Sequence, residues 1–184
     1  MLLLGKVQNL LLRNFNKTDL NAVGLSGSDA NFFTTEALGV NQELGFVGRI
    51  KKLNKQLITD LLEKNYTPVV GCIGPDQNGQ PYNINADTCA AGIAAAFKTK
   101  QLILLTDVSG IMLDGQLVKN LNLSKAKELL GHEEIHSGMI PKLEACITAI
   151  ESGVKEARIL GIQQEESLSK AIHAENCNGT IIRG

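Results

Sequence analysis

Two asparagines and an aspartate stand close together in a short polar segment of the chain. Asn83, Asn85 and Asp87 follow the turn Asn78-Gly79 and lead into an alanine-rich stretch. In an extended chain, side chains two residues apart point to the same side, so the two asparagines can reach one ligand together. The Asp87 carboxylate can also accept hydrogen bonds from the first N–H groups of the next helix. A helix cap is the commoner role for such an aspartate, and a polar binding site is the alternative.

A second polar segment, Thr106-Asp107-Val108-Ser109-Gly110, follows the aliphatic run Leu102-Ile103-Leu104-Leu105. Such a run is typical of a strand buried in a parallel sheet. Ligands of open α/β sheets bind in the crevice outside the carboxyl ends of the strands. The segment is therefore a candidate binding loop.

A third segment, His132-Glu133-Glu134-Ile135-His136, matches the pattern His-Glu-x-x-His. On a helix this pattern places two imidazoles on one face to hold zinc, with the first glutamate as general base. Here Gly131 is a helix end and Ser137-Gly138 a helix start, so the histidines flank a connecting loop. His173 is a possible third ligand, at no characteristic spacing. We interpret the two histidines as solvated loop residues and predict no metal-binding residues.

Composition and charge exclude several classes of function. The chain has 184 residues, of which 43% are hydrophobic and 20% charged, enough for one well-buried core. Its formal net charge is −1, with both signs spread evenly, which argues against a nucleic-acid or membrane-surface partner. The apolar start, Met1-Leu2-Leu3-Leu4, is interrupted by Gly5-Lys6, so we predict neither a signal peptide nor a transmembrane span.

The cysteines show no Cys-x-x-Cys spacing, and most lie among apolar or small neighbours. They are Cys72, Cys89, Cys146 and Cys177. This usage is typical of reduced thiols in a cytoplasmic protein.

The rest of the pattern predicts short strands alternating with helices. Strands are expected at residues 2–4, 22–25, 46–50, 67–73, 102–105, 157–162 and 179–182. Helices are expected at residues 10–14, 54–65, 87–96, 124–130, 137–150 and 165–173. Asn78-Gly79 and Asp114-Gly115 predict hairpin turns. Aliphatic strands separated by helices imply an α/β protein with a parallel sheet covered on both faces.

Four segments of the chain together resemble a known family. They are Gly45-Phe46-Val47-Gly48, residues 83–87, residues 104–110 and residues 137–142. Their order and spacing resemble the N-acetylglutamate kinases of the amino-acid kinase family, and the resemblance extends from residue 3 to residue 180. It implies a three-layer α/β/α sandwich on a mainly parallel sheet, of the amino-acid kinase or carbamate kinase type.

The resemblance also implies an activity. Family members phosphorylate the side-chain carboxylate of N-acetyl-L-glutamate with ATP, giving an acyl phosphate in arginine biosynthesis. The implied cofactors are ATP and Mg²⁺ held by the nucleotide phosphates. The implied protein is a cytoplasmic homo-oligomer, a dimer or larger.

The same resemblance implies roles for individual residues. Lys142 matches the lysine that stabilises the transition state, Asp87 the carboxylate that organises the catalytic lysines, and Asn83 the asparagine that binds the substrate. The segments around the nucleotide contribute Asp107, Val108, Ser109, Gly110, Ile111, Met112, Ile135, Ser137, Gly138 and Met139. For Ile111, Met112 and Met139, ordinary core packing is an equally good interpretation.

The chain departs from the family pattern at its beginning. Family members start with a glycine-rich loop bearing a first catalytic lysine, then a Gly-Gly loop and a substrate-binding arginine, and none of these has a counterpart here. Lys6 matches a mid-chain Gly-Lys-Val motif instead. We therefore expect one kinase domain without its amino-terminal part, with residues 1–82 a partial acceptor-binding lobe and residues 83–184 the nucleotide-binding lobe.

Three functions stay open on the sequence. The first is an acetylglutamate kinase, and the second is a non-catalytic nucleotide-binding remnant or regulatory subunit. The third is a related kinase that acts on an aminoadipate-type acceptor.

Overall fold

The computed structural model describes residues 2–39, 45–161 and 179–184. The chain forms two compact units, Met1–Cys89 and Ala90–Gly184. The assignment of residues 1–82 and 83–184 to two different ligands stays a prediction. The helix predicted at residues 165–173 lies outside the described residues.

The described residues of the first unit form six strands and the helices that connect them. After a helical segment of wide, π-type turns, Leu2–Val7, come α1 (Gln8–Phe15), β1 (Ala22–Leu25), a 3₁₀ turn (Asp29–Asn31), β2 (Phe33–Ala37), β3 (Gly48–Leu53), α2 (Lys55–Glu63), β4 (Thr67–Val70), β5 (Ile73–Pro75) and β6 (Pro81–Asn83). Strands β1 and β4 pair in parallel, whereas β2–β3 and β5–β6 are antiparallel. The hairpin turn predicted at Asn78-Gly79 is confirmed between β5 and β6, with Gly79 at a φ of +85°.

The strand predicted at residues 2–4 is wrong, because this segment is helical. Leu4, Gln8 and Leu12 recur every four residues, which places them on one face of a helix. Leu4 and Leu12 fill the space beside Gly71 and Gly24, where a side chain at either glycine would clash. These residues thus have the periodicity of a helix, which cannot be recognised from residues 2–4 alone.

The strand predicted at residues 67–73 is shorter in the structure. Strand β4 ends at Val70, is only half-buried, and pairs with β1. Gly71-Cys72 then interrupts the extended chain, and β5 starts at Ile73 and pairs with β6 instead.

Helix α3 (Ala86–Phe97) begins one residue before Asp87, so the prediction that Asp87 caps this helix is wrong. The cap is Asn85, whose Oδ1 accepts hydrogen bonds from the N–H groups of Asp87, at 3.0 Å, and Thr88, at 3.2 Å. An asparagine is as good a cap as an aspartate, and the helix begins here two residues earlier than expected.

The second unit is built on a four-stranded sheet. Its elements are β7 (Gln101–Thr106), β8 (Met112–Leu113), β9 (Gln116–Leu117), β10 (Asn120–Asn122), α4 (Leu123–Leu129), α5 (Ile140–Glu151), β11 (Glu156–Gly161) and β12 (Gly179–Arg183). The strand order is β10-β12-β11-β7, with β10–β12 and β11–β7 parallel and β11–β12 antiparallel. The hairpin predicted at Asp114-Gly115 is confirmed as β8–β9.

One face of this sheet carries the main apolar core. Helix α5 packs on β11, β12 and β7, and its Leu143, Cys146 and Ala149 are fully buried beside Ala157 and Ile159 of β11. Small residues on both the helix and the strand, such as Ala149 and Ala157, allow this close packing.

The opposite face of β11 carries a charged cluster around Glu156. Its carboxylate accepts hydrogen bonds from the neighbouring Arg158, from Gln101 of β7 at 3.2 Å, and from Arg183 of β12 at 2.8 Å. The Arg158 side chain is nearly buried. The cluster therefore links three strands of the sheet by charge-assisted hydrogen bonds.

The described cysteines are free thiols. Cys89 and Cys146 are buried and Cys72 is half-buried, while Cys177 lies outside the described residues. Burial, together with the nearby Cys72, raises the pKa of Cys89 to about 12. In the part of the chain that the structure describes, no helix has the length and apolar character needed to cross a membrane.

Candidate functional site

A cavity of about 330 Å³ opens in the second unit at the carboxyl end of β7. This is the edge of a parallel pair of strands at which ligands of α/β proteins bind. Its lining residues come from three stretches: Thr106, Asp107, Val108, Gly110, Ile111 and Met112; Glu134, Ile135 and His136; and Gly138, Met139 and Lys142. The volume lies in the range of small-molecule sites.

The loop that leaves β7 passes very close to β11. A Cβ atom added to Gly161 would lie 2.7 Å from the carbonyl oxygen of Val108 and 3.0 Å from Cα of Ser109. Both are backbone atoms, so only glycine lets the loop take this path. Sequence reasoning missed Gly161, although a glycine inside a strand is a known signal of a close backbone approach.

The hairpin β8–β9 extends the same wall of the cavity. Its turn residues Asp114 and Gly115 both have positive φ, 50° and 71°. The Asp114 N–H donates a hydrogen bond of 2.8 Å to Oε2 of Glu134, which lines the cavity. Glu134 thus ties the hairpin to the segment on the other side of the cavity.

That segment, residues 132–136, forms turns and not the helix that zinc binding by His-Glu-x-x-His requires. The Ile135 N–H donates to the carbonyl of His132 at 3.0 Å, and the Ile135 side chain is buried in the apolar core. The prediction that both histidines are solvated loop residues is confirmed, because His132 and His136 are exposed in this loop, and His136 also lines the cavity.

The amino-terminal turn of α5 forms the remaining wall. The helix starts at Ile140 with Met139 at the cap position and Pro141 in its first turn, so the prediction that Ser137 caps it is wrong. The chain already turns before the helix, because the N–H groups of Met139 and Ile140 both donate to the carbonyl of His136. A cavity at this end of the helix lies at its positive pole.

Lys142 lies in this first turn and lines the cavity. A cation here opposes the helix dipole, which favours acidic residues in the first turn. The lysine is therefore poorly placed for helix stability and well placed to bind an anion.

Most residues predicted to surround a nucleotide line this cavity. They are Asp107, Val108, Gly110, Ile111, Met112, Ile135, Gly138 and Met139, with Lys142 beside them. Ser109 and Ser137 are not among the lining residues, whereas Thr106, Glu134 and His136 line the cavity and were not predicted. Ile111 and Met139 also belong to the buried core, whereas Met112 is 40% exposed. Core packing is thus confirmed for Ile111 and Met139 but not for Met112, and the role of all three toward a ligand stays a prediction.

The other two predicted site residues belong to the first unit. Asn83 is exposed at the end of β6, where its backbone N–H donates to the carbonyl of Phe46 at 2.8 Å. Asp87 is half-buried in the first turn of α3. Their roles toward a substrate stay predictions.

The sequence matches the amino acid kinase family over residues 1–161. The chain belongs to this family. Its matched region includes every residue that lines the cavity. The acetylglutamate kinase of Prochlorococcus marinus subsp. pastoris is 40% identical over 186 residues, which cover 99% of this chain and 65% of that relative.

Solved structures agree with this membership. The structure of smu.665 from Streptococcus mutans UA159 has a TM-score of 0.84 at 25% identity, over 99% of this chain and 69% of that one. Giardia carbamate kinase has a TM-score of 0.68 at 18% identity, over 96% of this chain and 66% of that one. The predicted α/β fold of the amino-acid kinase and carbamate kinase type is confirmed. The chain spans less than two thirds of the length of the Prochlorococcus relative.

Proposed function

We propose that the cavity binds ATP and that the protein transfers the γ-phosphoryl group to the side-chain carboxylate of N-acetyl-L-glutamate. The observation that carries this proposal is the position of Lys142, in the first turn of α5 and in the lining of a largely apolar cavity. The name of the relative that is 40% identical, acetylglutamate kinase, supports the choice of acceptor.

The chemistry of the cavity suits an adenine nucleotide. Val108, Ile111, Met112 and Met139 offer apolar surface for a flat base. The positive pole of α5, together with the Lys142 ammonium group, attracts phosphate oxygens. The carboxylates lining the cavity repel phosphates and suit the hydroxyl groups of a ribose.

In the proposed reaction, a carboxylate oxygen of the acceptor forms a bond to the γ-phosphorus as the bond from that phosphorus to the β–γ bridging oxygen breaks. ADP leaves with the electron pair, and the product is an acyl phosphate. Negative charge is spread over the three equatorial oxygens in the transition state. The Lys142 ammonium group stabilises this charge, and the cavity holds the nucleotide in position for the transfer.

The described residues contain no group of three His, Cys, Asp or Glu side chains able to hold a metal ion. This arrangement suits Mg²⁺ that arrives with the nucleotide phosphates, since Mg²⁺ keeps several waters and is commonly bound through substrate phosphates. The substrate of the proposed reaction is therefore MgATP.

The family resemblance supplies the remaining parts of the proposal. Asn83 binds the backbone groups of N-acetyl-L-glutamate, and Asp87 is the carboxylate to which the resemblance assigns the organisation of the catalytic lysines. The protein acts in the cytoplasm as a homo-oligomer.

The test is the formation of an acyl hydroxamate from MgATP, hydroxylamine and N-acetyl-L-glutamate. We expect Lys142→Ala to lower kcat by roughly 10²–10³-fold, the usual loss when one charge-stabilising group is removed. Lys155→Ala is the matched control, because Lys155 is exposed in the same unit and does not line the cavity. Undiminished turnover in Lys142→Ala would overturn the catalytic role of Lys142.

Nucleotide binding without turnover is the second candidate, since the cavity lies entirely within one of the two units. It predicts that the unmodified chain binds MgADP and forms no hydroxamate with any acceptor. A hydroxamate formed only with an N-acetylated aminoadipate would instead show that the acceptor is the longer dicarboxylate.

A further inference from the structure

Thr180 lies outside the lining of the cavity and contacts the loop that forms its wall. We propose that Thr180 is a positioning residue for nucleotide binding, because its hydroxyl group is inserted at the base of the β8–β9 hairpin and fixes Gly110 and Ile111 in the cavity wall. This inference rests on the proposed function, which supplies the nucleotide as the occupant of the cavity.

The inserted hydroxyl group makes two hydrogen bonds. Thr180 is on β12 and is fully buried. Its Oγ1 accepts a hydrogen bond of 2.9 Å from the Ile111 N–H and donates one of 2.7 Å to the Val118 carbonyl. Ile111 and Val118 are also bonded directly, because the Val118 N–H donates to the Ile111 carbonyl at 2.9 Å.

This pattern departs from an ordinary antiparallel ladder. There, two facing residues of a hydrogen-bonded pair exchange two N–H···O bonds. Ile111 and Val118 keep one of these bonds, and the Thr180 hydroxyl replaces the other. A hydroxyl can donate and accept at once, so it satisfies both backbone groups while it holds them apart. The distance between Ile111 and Val118 at the base of the hairpin therefore depends on this hydroxyl group.

A second contact ties the same threonine to the preceding residue. Gly110 has a φ of +148°, and a Cβ atom added to it would lie 2.9 Å from Thr180 Oγ1 and 3.1 Å from the Thr180 backbone nitrogen. The next residue of β12 is bonded to the segment that follows the hairpin, because the Ile181 N–H donates to the Lys119 carbonyl at 2.9 Å. Gly110 and Ile111 line the cavity, so the hydroxyl fixes the position of this part of its wall.

Two substitutions separate the hydroxyl group from the bulk of the side chain. Thr180→Val keeps the volume and removes both hydrogen bonds, leaving two buried backbone groups unpaired or letting the hairpin base close. Thr180→Ser keeps the hydroxyl. We expect the Kd for MgADP, measured by calorimetry, to rise by roughly tenfold or more in Thr180→Val and by less than about twofold in Thr180→Ser.

Thr35→Val is the matched control. Thr35 is also a buried strand threonine, and its hydroxyl donates to the Gly74 carbonyl at 3.2 Å in the first unit. We expect its substitution to change the Kd for MgADP by less than about twofold, since a buried hydroxyl that makes no hydrogen bond to the cavity wall carries a similar stability cost and no positioning role. Melting temperatures of the unliganded variants show how much of the change in Kd comes from a general loss of stability.

The outcomes are distinct. MgADP binding by Thr180→Val as tight as that of the unmodified chain would overturn the inference, and so would equal losses in the serine and valine variants. If Thr180→Val does not fold, hydrogen exchange in the unmodified chain decides, because the Ile111 amide must exchange slowly. Fast exchange at Ile111 would contradict the hydrogen bond itself. An unmodified chain that does not bind MgADP would overturn the proposed function, and this role with it.

Discussion

Gly161 sets how closely the loop after β7 passes β11, and its substitution gives a direct prediction. In Gly161→Ala, the new methyl group would meet the carbonyl oxygen of Val108 at 2.7 Å, so the loop must move. We expect the Kd for MgADP to rise by roughly tenfold, the effect of an overpacked backbone contact of about 1–3 kcal/mol. Calorimetric titration measures this change.

Gly131→Ala is the control for Gly161→Ala, because nothing lies within 4 Å of a Cβ atom added at Gly131. Its Kd for MgADP should match that of the unmodified chain. An unchanged Kd in Gly161→Ala would show that the loop adjusts without cost and that its path does not determine binding.

At the scale of single residues, the sequence predicts the segments that surround the cavity. It predicts less well the hydrogen bonds that hold these segments in place. Asp107, Met139 and Lys142 were predicted from the resemblance of their segments to the family, and the structure places them around one cavity. Thr180 was not predicted, because its hydrogen-bond partners are 69 and 62 residues away along the chain. The cap at Asn85 was missed because Asp87 and Asn85 are both good caps and the backbone alone decides between them.

At the scale of elements, Gln8 joins α1 to the parallel pair β1–β4. Its side-chain amide donates to the carbonyls of Leu25, at 2.9 Å, and Val69, at 2.8 Å. We expect Gln8→Ala to lower the free energy of unfolding by about 1–3 kcal/mol, since two partly buried carbonyls each lose one donor. Urea denaturation measures this loss.

Gln56→Ala is the comparison for Gln8→Ala. The Gln56 amide donates to the exposed Asp60 on the same helix, so the expected loss is within about 0.5 kcal/mol. Equal losses in the two variants would contradict a special role for Gln8.

The charged cluster on β11 gives a prediction about acid stability. Burial alone would raise the pKa of Glu156, but hydrogen bonds from Arg158 and Arg183, with the charges of both arginines, outweigh burial and lower the pKa below its ordinary value of 4.5. The folded state therefore binds fewer protons than the unfolded state across this range. The stabilisation is fully present above the ordinary pKa and is lost as the pH falls through the lower, folded value.

Glu156→Gln should remove the pH-dependent stabilisation that the ionised Glu156 carboxylate provides. We expect the variant to be less stable than the unmodified chain at pH 7, with a smaller further loss of stability on acidification below pH 4.5. Denaturation at a series of pH values measures the slope, with Glu36→Gln as the control because Glu36 forms an exposed pair with Arg49. Parallel slopes in Glu156→Gln and the unmodified chain would contradict this account.

The sequence predicted most elements of both units, and its errors have physical causes. The buried strand β7 and helices α2 and α3 were predicted because their apolar patterns are long and regular. The leucines at residues 2–4 were misassigned, because a short apolar run does not distinguish a strand from one turn of a helix. The end of β4 at Val70 depends on pairing with β1, which local sequence does not determine.

At the scale of the whole molecule, the two units are expected to serve different ligands. The cavity belongs to the second unit, and Asn83 belongs to the first. We therefore expect Asn83→Ala to raise the KM for N-acetyl-L-glutamate by roughly tenfold, the effect of one lost hydrogen bond, and to leave the Kd for MgADP unchanged. Steady-state kinetics and calorimetry test the two halves of this prediction.

The control for Asn83→Ala is Asn14→Ala, an exposed asparagine on α1 of the same unit. It should alter neither constant. A weaker MgADP affinity in Asn83→Ala, with the KM for the acceptor unchanged, would contradict the division of ligands between the units.

The central claim is that the cavity at the carboxyl end of β7 is the nucleotide site, and the methionines allow a direct measurement. The chain has three methionines, and two of them, Met112 and Met139, line the cavity. With ¹³C-labelled methionine methyl groups, the NMR spectrum has one resonance for each, and Met112→Leu and Met139→Leu assign them. We predict that saturating MgADP shifts the resonances of Met112 and Met139. Saturable MgADP binding that leaves both cavity methionines unshifted would contradict the claim.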